Sequence, residues 1–321
     1  MSSKVDVSVI IPTWKAAGFI GRAVRSALAS TGVNIEVVAV DDASPDDTFD
    51  VLKQLATTDP RVVIDRLPAN AGPSAARNRA IALSNGRFIA ILDADDTMTP
   101  DRLAYLVSVA QRNEADIVVD NMLEVDEAGD RISKYAFLSG ENFEEPDDVD
   151  LETWIYFNQP MKSGDCLGYL KPLIRRSAIE RLAARYDEKL RNSEDYYLIA
   201  HLLAAGARMS YVPEAGYLYR RSEDSTSHRL DPSQTRALLD AEERFHTLFS
   251  NTLTPQERSA LARRERGLRD VDQFVRALDA LKTRKIREVP RLLASDIRAS
   301  TFTLATFAKI AMGKALGMKL V

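Results

Sequence analysis

Three aspartates that follow one strand-like segment are the strongest candidates for chemistry in this 321-residue sequence. The apolar segment 88–92 runs directly into Asp93, Asp95 and Asp96. Side chains alternate along an extended chain, so Asp93 and Asp95 should lie on one side and could share a divalent cation. Mg²⁺ or Mn²⁺ held by one or two carboxylates usually completes its coordination with substrate phosphates. The alternative is a simple turn before the helix that opens near Pro100, but crowded carboxylates repel one another without a cation.

A second acidic pair, Asp41 and Asp42, ends the strand-like segment 35–40. Ser44, Pro45 and Asp46 follow it and are typical of a turn and a helix start, so either aspartate could serve only as a cap. Alternatively, one of them accepts a hydrogen bond from the ring N–H of a nucleobase, which a buried acceptor discriminates sharply. The residues alone leave both interpretations open.

The segment NAGPSAARN predicts a helix that begins at Pro73, is preceded by Gly72 and carries Arg77 one turn inside. A helix N-terminus at the ligand-binding end of a sheet favours anions, and the forked guanidinium of Arg77 would add further donors. The alternative is a surface arginine on an ordinary alanine-rich helix.

The segment RNSEDYYL opens a helix at Ser193, which Glu194 and Asp195 follow. A serine cap with two acidic residues is favoured at any helix N-terminus, and taken alone these residues favour that structural interpretation. The functional alternative is a general base that removes a proton from a nucleophilic hydroxyl.

The polar segment YLYRRSEDSTSH carries Arg220, Arg221 and His228. These side chains could hold a departing diphosphate, or they could simply be solvated. The residues alone do not decide between the two.

The elements around these candidates predict an α/β fold with a mostly parallel sheet. Strand-like segments alternate with helical patterns, as in βαβ units. Ligands bind such sheets beyond the carboxyl ends of the strands, where the candidates lie. The predicted strands cover residues 5–11, 35–40, 62–64, 88–92 and 117–119, and the predicted helices between them cover 18–28, 47–56, 73–83 and 100–111.

The sequence changes character twice further along. An acidic segment at 141–152 predicts a solvated loop between a nucleotide-binding half, about 1–120, and an acceptor half, about 150–230. After Pro232 the pattern becomes continuously helical. We therefore predict one domain over 1–230 and a helical C-terminal extension with a basic amphipathic tail over 231–321.

Composition and charge exclude several classes of protein. The formal net charge is −4, yet residues 282–321 contain nine basic and two acidic residues, which leaves about −11 for the rest. Such an acidic body argues against nucleic-acid binding, whereas the basic end suggests an anionic partner such as a membrane surface. A single cysteine, Cys166, excludes a disulfide framework and a cysteine-built zinc site, so a metal would be a hard cation held by carboxylates.

The N-terminal segment MSSKVDVSVIIP has no signal-peptide pattern, and no apolar run reaches the roughly 18 residues of a membrane span. We therefore expect a cytoplasmic protein. The apolar closing segment, which carries three lysines, is expected to lie peripherally at the inner face of the inner membrane or to pack on a partner subunit.

The order of the motifs adds information. VSVIIPTW, VVAVDDASPDDT, NAGPSAARNRAI, IAILDADD and SEDYYL follow one another, and as a set they resemble the family 2 inverting glycosyltransferases with the GT-A fold. The resemblance covers about residues 5–228. The segment GYLKPLIRRS makes the sequence similar to bacterial exopolysaccharide glucosyltransferases of the succinoglycan type.

The resemblance implies a role for each candidate residue. Asp95 would be the principal metal ligand, with Asp96 beside it and Asp93 at the ribose, diphosphate and metal. Asp195, in the pair with Glu194, would be the catalytic base. The nucleotide site would take the remaining residues, which are Pro12, Thr13, Trp14, Asp42 at uracil, Arg77 and, on the diphosphate, Arg220, Arg221 and His228.

The expected reaction is a single displacement that moves a hexose from a UDP-sugar, UDP-glucose in our hypothesis, to a saccharide acceptor carried on a lipid. Mg²⁺ or Mn²⁺ would neutralise the leaving diphosphate. Two other functions stay open: a non-catalytic nucleotide-sugar or glycan binder, and a sugar nucleotidyltransferase. PTWKAAGF lacks the glycine-rich, arginine-containing loop that a nucleotidyltransferase would carry after its first strand.

Overall fold

The computed structural model describes residues 5–145, 147–160, 164–221 and 231–315, with side chains for all of these except Asn142 and 310–315. The contacts divide the chain into two compact units. One comprises Met1–Phe157 and Gly164–Ser225, and the other comprises Asn158–Ser163 and Thr226–Val321. His228 lies outside the described residues.

A mixed sheet forms the centre of the first unit. Its strands are β1 (Val7–Thr13), β2 (Ile35–Asp41), β3 (Val62–Arg66), β4 (Phe88–Ile91), β5 (Thr97–Met98), β6 (Ile117–Val125), β7 (Asp147–Asp148), β8 (Leu173–Arg175) and β9 (Met209–Arg220). They lie side by side in the order β3-β2-β1-β4-β8-β6-β9-β5, and β7 pairs with β9 outside this order. Its helices are α1 (Ile20–Leu28), α2 (Thr48–Thr58), α3 (Pro73–Leu83), α4 (Arg102–Arg112), α5 (Leu151–Phe157), α6 (Arg176–Arg181) and α7 (Glu194–Ala204).

The first half of the sheet, β1 to β4, follows the βαβ prediction. β2 lies between β1 and β3 and β1 lies between β2 and β4, with all of these pairs parallel. β2 and β4 are buried along their whole length, as expected of apolar strands that helices cover on both faces. Thr13 pairs with Asp41 at the carboxyl ends, so the loops after β1 and β2 meet at one edge of the sheet.

The second half of the sheet departs from the parallel pattern. β8, a strand of three residues that the sequence pattern did not predict, lies antiparallel between β4 and β6. β9 continues as a single strand through a bulge at Pro213 and Glu214, where its register against β6 shifts. β7 falls inside the acidic segment expected to be a loop, and it pairs with β9.

The second unit is helical, and its helices are α8 (Pro232–Phe249), α9 (Pro255–Lys282), α10 (Val289–Ser295) and α11 (Ile297–Ala315). Asp231 and Thr254 form capping boxes that begin α8 and α9. Ala299, Ser300 and Thr303 of α11 are buried, and Phe274 of α9 packs against two phenylalanines of α11. Of the helices described here, none is both long and apolar enough to cross a membrane.

Candidate active site

The loops that leave β1 and β2 are tied together. The backbone N–H of Lys15 donates to Ser44 Oγ at 3.0 Å, and that of Ala16 donates to Thr48 Oγ1 at 2.8 Å. Lys15 and Ala43 have positive φ values of 52° and 54°, which turn both loops sharply at the strand ends. Pro12 and Thr13 lie within β1, whereas Trp14 stands 48% exposed immediately after it. Trp14 is therefore the residue of this trio with a surface open to a ligand.

Asp42 holds the loop that leads into α3. Its Oδ1 accepts the backbone N–H of Ala71 at 2.7 Å, and its Oδ2 accepts the N–H of Gly72 and the amide of Asn70, both at 2.8 Å. Asp42 is 3% exposed, and its side chain does not cap α2, the helix that follows it. A carboxylate has about four lone-pair sites, so these contacts leave room for a further donor. Recognition of uracil by Asp42 stays a prediction.

Arg77 is buried, so the interpretation as a surface arginine is wrong. It is 3% exposed and lies in the middle of three carboxylates from other parts of the chain. Its Nη1 donates to Glu194 Oε1 at 2.5 Å, its Nη2 donates to Asp93 Oδ1 at 3.0 Å, and Nη2 lies 3.8 Å from Asp195 Oδ2. The guanidinium also lies over the ring of Tyr186. The structure therefore brings together Arg77, Asp93 and the acidic pair that begins α7.

Lys171 completes this cluster and was not among the predicted site residues. Its Nζ lies 2.9 Å from Asp93 Oδ2 and 3.3 Å from Asp195 Oδ2. Burial alone raises the pKa of the Asp93 carboxyl, but Lys171 and Arg77 outweigh it and lower that pKa to about 2. Burial lowers the pKa of Lys171, and Asp93 and Asp195 more than reverse this, so its pKa is raised. Asp93 and Lys171 are therefore both ionised at neutral pH.

Asp195 is held in a fixed orientation at the start of α7. Ser193 adopts a left-handed conformation with φ of 60° and its side chain makes no cap hydrogen bond, so the predicted serine cap is absent from α7. The buried Tyr186 hydroxyl hydrogen-bonds to the Asp195 carboxylate, and the pKa of Tyr186 is raised well above the usual value by burial and by Asp195. A carboxylate oriented by its neighbours is the arrangement that a general base requires.

The other two aspartates after β4 differ from each other. Asp96 is buried, and it accepts the Tyr217 hydroxyl at 2.7 Å and the Arg220 N–H at 2.8 Å. Burial, with Asp93 and Asp95, raises its pKa well above the usual value. Asp95 is 43% exposed and pairs with Arg220 Nη2 at 3.0 Å. Asp96 is therefore an anchor for β9, and Asp95 is the carboxylate that a ligand can reach.

The two arginines at the end of β9 lie in different surroundings. Arg220 is buried, lies over the ring of Phe19 and reaches Asp95. Arg221 is 59% exposed and lies 3.5 Å from Glu124, away from the three aspartates. The structure thus brings Arg220 to the predicted site and places Arg221 outside it.

The family model described as "Glycosyl transferase family 2" matches residues 8–177, which is more than half of the chain and contains β1 to β4 with the aspartates that follow them. The chain belongs to glycosyl transferase family 2.

Two relatives of this family 2 enzyme support the assignment over most of their length. The succinoglycan biosynthesis protein ExoO of Rhizobium meliloti is 37% identical over 91% of this chain and 82% of its own length. The succinoglycan biosynthesis protein ExoU of the same organism is 35% identical over 87% of this chain and 80% of its own.

Solved structures confirm the predicted GT-A-type α/β fold with a helical C-terminal region. The structure of S. aureus TarS 1-349 in complex with UDP-GlcNAc has a TM-score of 0.68 and 18% identity, covering 99% of this chain and 93% of that one. The mannosyltransferase PcManGT from Pyrobaculum calidifontis in complex with GDP-Man and Mn2+ has a TM-score of 0.57 and 17% identity, covering 97% and 81%.

The donor set of this family 2 enzyme fits a hard cation shared with a substrate, rather than a closed cage. Within the described ranges, no three His, Cys, Asp or Glu side chains are grouped so that they could hold a metal ion by themselves. Burial and the nearby Asp93 raise the pKa of Asp95 more than Arg220 lowers it. Asp95 therefore carries incompletely compensated negative charge at an accessible position, which suits Mg²⁺ or Mn²⁺ bound jointly with phosphate oxygens.

Proposed function

We propose that this family 2 enzyme transfers a hexose, with UDP-glucose as the donor, to a lipid-linked saccharide acceptor and inverts the anomeric configuration. The observation that carries the proposal is the position of the Asp195 carboxylate, which Lys171 ties to Asp93 at the donor end of the sheet. A role in exopolysaccharide assembly is supported by the two succinoglycan biosynthesis relatives.

The donor would lie across the ends of β1, β2 and β4. Trp14 is half exposed at the end of β1, with Lys15 Nζ over its ring, and Asp42 can accept one further hydrogen bond from a base. Asp95 would hold Mg²⁺ or Mn²⁺, with Asp93 nearest to it and Asp96 supporting the loop from behind. A bound divalent cation would supply charge neutralisation at the leaving diphosphate. Arg220 would add positive charge at the same place, because its guanidinium already lies beside Asp95.

Inversion follows from the use of one base and one displacement. The acceptor hydroxyl gives its proton to the Asp195 carboxylate, its oxygen bonds to the anomeric carbon, and the bond from that carbon to the diphosphate breaks with the electron pair leaving on the nucleotide. Holding the acceptor in line with the donor supplies much of the reduction in barrier. Glu194 contributes by pairing with Arg77, which keeps that arginine between the donor and acceptor sides.

A panel of UDP-sugars and GDP-mannose with Mg²⁺, Mn²⁺ or chelator tests this proposal, with nucleotide diphosphate release measured with and without crude lipid acceptor. We expect UDP release from UDP-glucose that needs both the metal and the acceptor, and a β-linked product from the α-linked donor. Asp195→Asn should lower kcat by about 10²- to 10⁴-fold. Asp50→Asn is the matched control, because that carboxylate is exposed on α2. Retained α-configuration, or full activity of Asp195→Asn, would contradict the mechanism; donor binding without release would indicate a non-catalytic binder.

Peripheral attachment to the cytoplasmic face of the inner membrane is part of the proposal, and the structure changes where we place it. The tail from 299 onward begins with residues that pack on α9, so deleting 299–321 would damage the second unit itself. The segment 281–298 instead combines six basic and two acidic residues with the exposed Leu281, Ile286 and Ile297, which are 42%, 64% and 84% exposed. Basic residues flanked by exposed apolar side chains suit an anionic bilayer surface.

Replacing Lys282, Arg284, Lys285 and Arg287 by glutamine tests this attachment without removing buried residues. We expect reduced co-sedimentation with vesicles that contain anionic lipid and no change with neutral vesicles. The control variant replaces exposed basic residues of the first unit, which are Lys53, Arg79, Arg112 and Lys189. Equal binding of both variants to anionic vesicles would refute the surface proposed here.

A further inference from the structure

Lys171 lies just before β8 and contacts two carboxylates of the candidate site. Its Nζ lies between Asp93 Oδ2, at 2.9 Å, and Asp195 Oδ2, at 3.3 Å. Arg77 contacts the same two aspartates from the other side, closest to Asp93 Oδ1 at 3.0 Å and more distant from Asp195 at 3.8 Å. The two cations and two carboxylates therefore form a closed ring, in which Lys171 is the nearer cation to Asp195.

The backbone around Lys171 is fixed, so its ammonium group is placed by the fold. The Lys171 carbonyl accepts Arg102 Nη2 at 2.6 Å. Arg102 in turn forms a buried two-point ion pair with Asp120 of β6, at 2.7 and 2.8 Å. Pro172 follows, and its carbonyl accepts the N–H of Ile91 at the end of β4. Lys171 is thus held at the start of β8, next to the strand that ends in Asp93.

The charges of the cluster show what Lys171 does for Asp195. Asp93, Glu194 and Asp195 contribute three negative charges, and Arg77 and Lys171 contribute two positive ones. Arg77 makes its closer contacts with Glu194 and Asp93. Lys171 therefore holds Asp195 Oδ2, and the Tyr186 hydroxyl also hydrogen-bonds to this carboxylate.

We propose that Lys171 is a positioning residue that orients the base by binding Oδ2 of Asp195 and linking it to Asp93. This rests on the proposed function, in which Asp195 is the base. Lys171 acts through Asp195 and does not itself bind the nucleotide or transfer a proton. Its replacement should then affect turnover and leave donor affinity almost unchanged.

The test compares Lys171→Met, Lys171→Gln and Lys171→Arg with wild type and with the control Lys53→Met, an exposed lysine of α2. With the donor found active in the panel, we expect Lys171→Met and Lys171→Gln to lower kcat by about 10²-fold, within the range of general-base catalysis. KM for the donor and Kd for UDP should stay within about threefold of wild type, because the substitutions remove no contact with the donor. Lys171→Arg should recover kcat to within about tenfold of wild type, since it keeps the charge but changes its geometry.

A double mutant separates positioning from a merely structural role. If Lys171 acts only through Asp195, then Lys171→Met/Asp195→Asn should have the same kcat as Asp195→Asn within about threefold. Multiplied effects of the two changes would overturn the proposal. A parallel loss of UDP affinity, or an unchanged kcat in Lys171→Met and Lys171→Gln, would also overturn it. Wild type that releases no nucleotide diphosphate from any donor would instead refute the proposed function, and the inference would fall with it.

Discussion

Arg77 and Arg79 provide a matched pair on one helix for testing how much the buried charge cluster stabilises the protein. Both lie on α3 and both form ion pairs, Arg77 with Asp93 and Glu194 and Arg79 with Asp65. The side chain of Arg77 is 4% exposed and that of Arg79 is 48% exposed. The two arginines therefore differ mainly in burial.

Arg77→Met should strongly destabilise the first unit. It leaves the carboxylates of Asp93, Glu194 and Asp195 with Lys171 as their remaining partner in the cluster, and all of them are largely buried. Removing one partner of a buried ion pair costs about 3–5 kcal/mol, because the other charge stays desolvated and unpaired. Arg79→Met should cost less than about 1 kcal/mol, because solvent screens the exposed pair.

Urea unfolding at pH 7, followed by tryptophan fluorescence, measures both changes. Both tryptophans of the chain, Trp14 and the buried Trp154, belong to the first unit, so the signal reports on it. Adding Glu194→Gln to Arg77→Met should recover at least about 1 kcal/mol, because it removes one of the stranded charges. The reasoning is refuted if Arg77→Met costs no more than Arg79→Met, or if the Arg77 and Glu194 changes are additive.

Four further predictions concern individual aspartates. Asp93, with its pKa lowered to about 2, should contribute roughly 2 kcal/mol that is present above about pH 4 and is lost as pH falls toward 2; acid unfolding of Asp93→Asn should lack this loss. Asp96, with its raised pKa, acts in the opposite sense, since stability falls as pH rises from about 4 through its folded pKa, and Asp96→Asn should flatten that slope. Asp42→Asn places an amide against the N–H groups of Ala71 and Gly72 and should cost about 1–3 kcal/mol and weaken UDP binding, whereas Asn70→Ala removes one donor and should cost less. Finally, Asp95→Ala should raise the Mn²⁺ concentration needed for half-maximal activity more than Asp93→Asn does, because Asp95 is the accessible carboxylate; equal shifts would contradict the assignment.

The positions of the donor-side residues could be predicted because they depend on local patterns. Apolar runs mark β1, β2 and β4, and the parallel order of these strands places Asp42 and Asp93 at one edge of the sheet. Predicting that edge requires only the alternation of strands and helices, which is visible in the sequence.

The acceptor side could not be predicted in the same way, because its contacts join distant parts of the chain. Arg77 and Glu194 lie 117 residues apart, and no periodicity relates them. β8 has three residues, too few for a strand pattern, yet it carries Lys171 to the cluster. One signal for Lys171 was present in the sequence, where it lies between Leu170 and the segment Pro172-Leu173-Ile174. A lysine within such an apolar run is expected to be buried and therefore to need a carboxylate partner.

The charge arrangement also explains why Asp93 and Asp95, which the sequence treats alike, should have different roles. Asp93 already accepts Arg77 on one oxygen and Lys171 on the other, so a cation at that carboxylate would have to compete with two fixed positive charges. Asp95 forms an ion pair with Arg220, is more exposed than Asp93 and has a raised pKa. The accessible negative charge therefore lies on Asp95, whereas Asp93 links the donor edge of the sheet to the base. Lys171 and Arg77 also lie 3.3 and 3.8 Å from Asp195 Oδ2, so the same two cations join the base to the donor edge of the sheet.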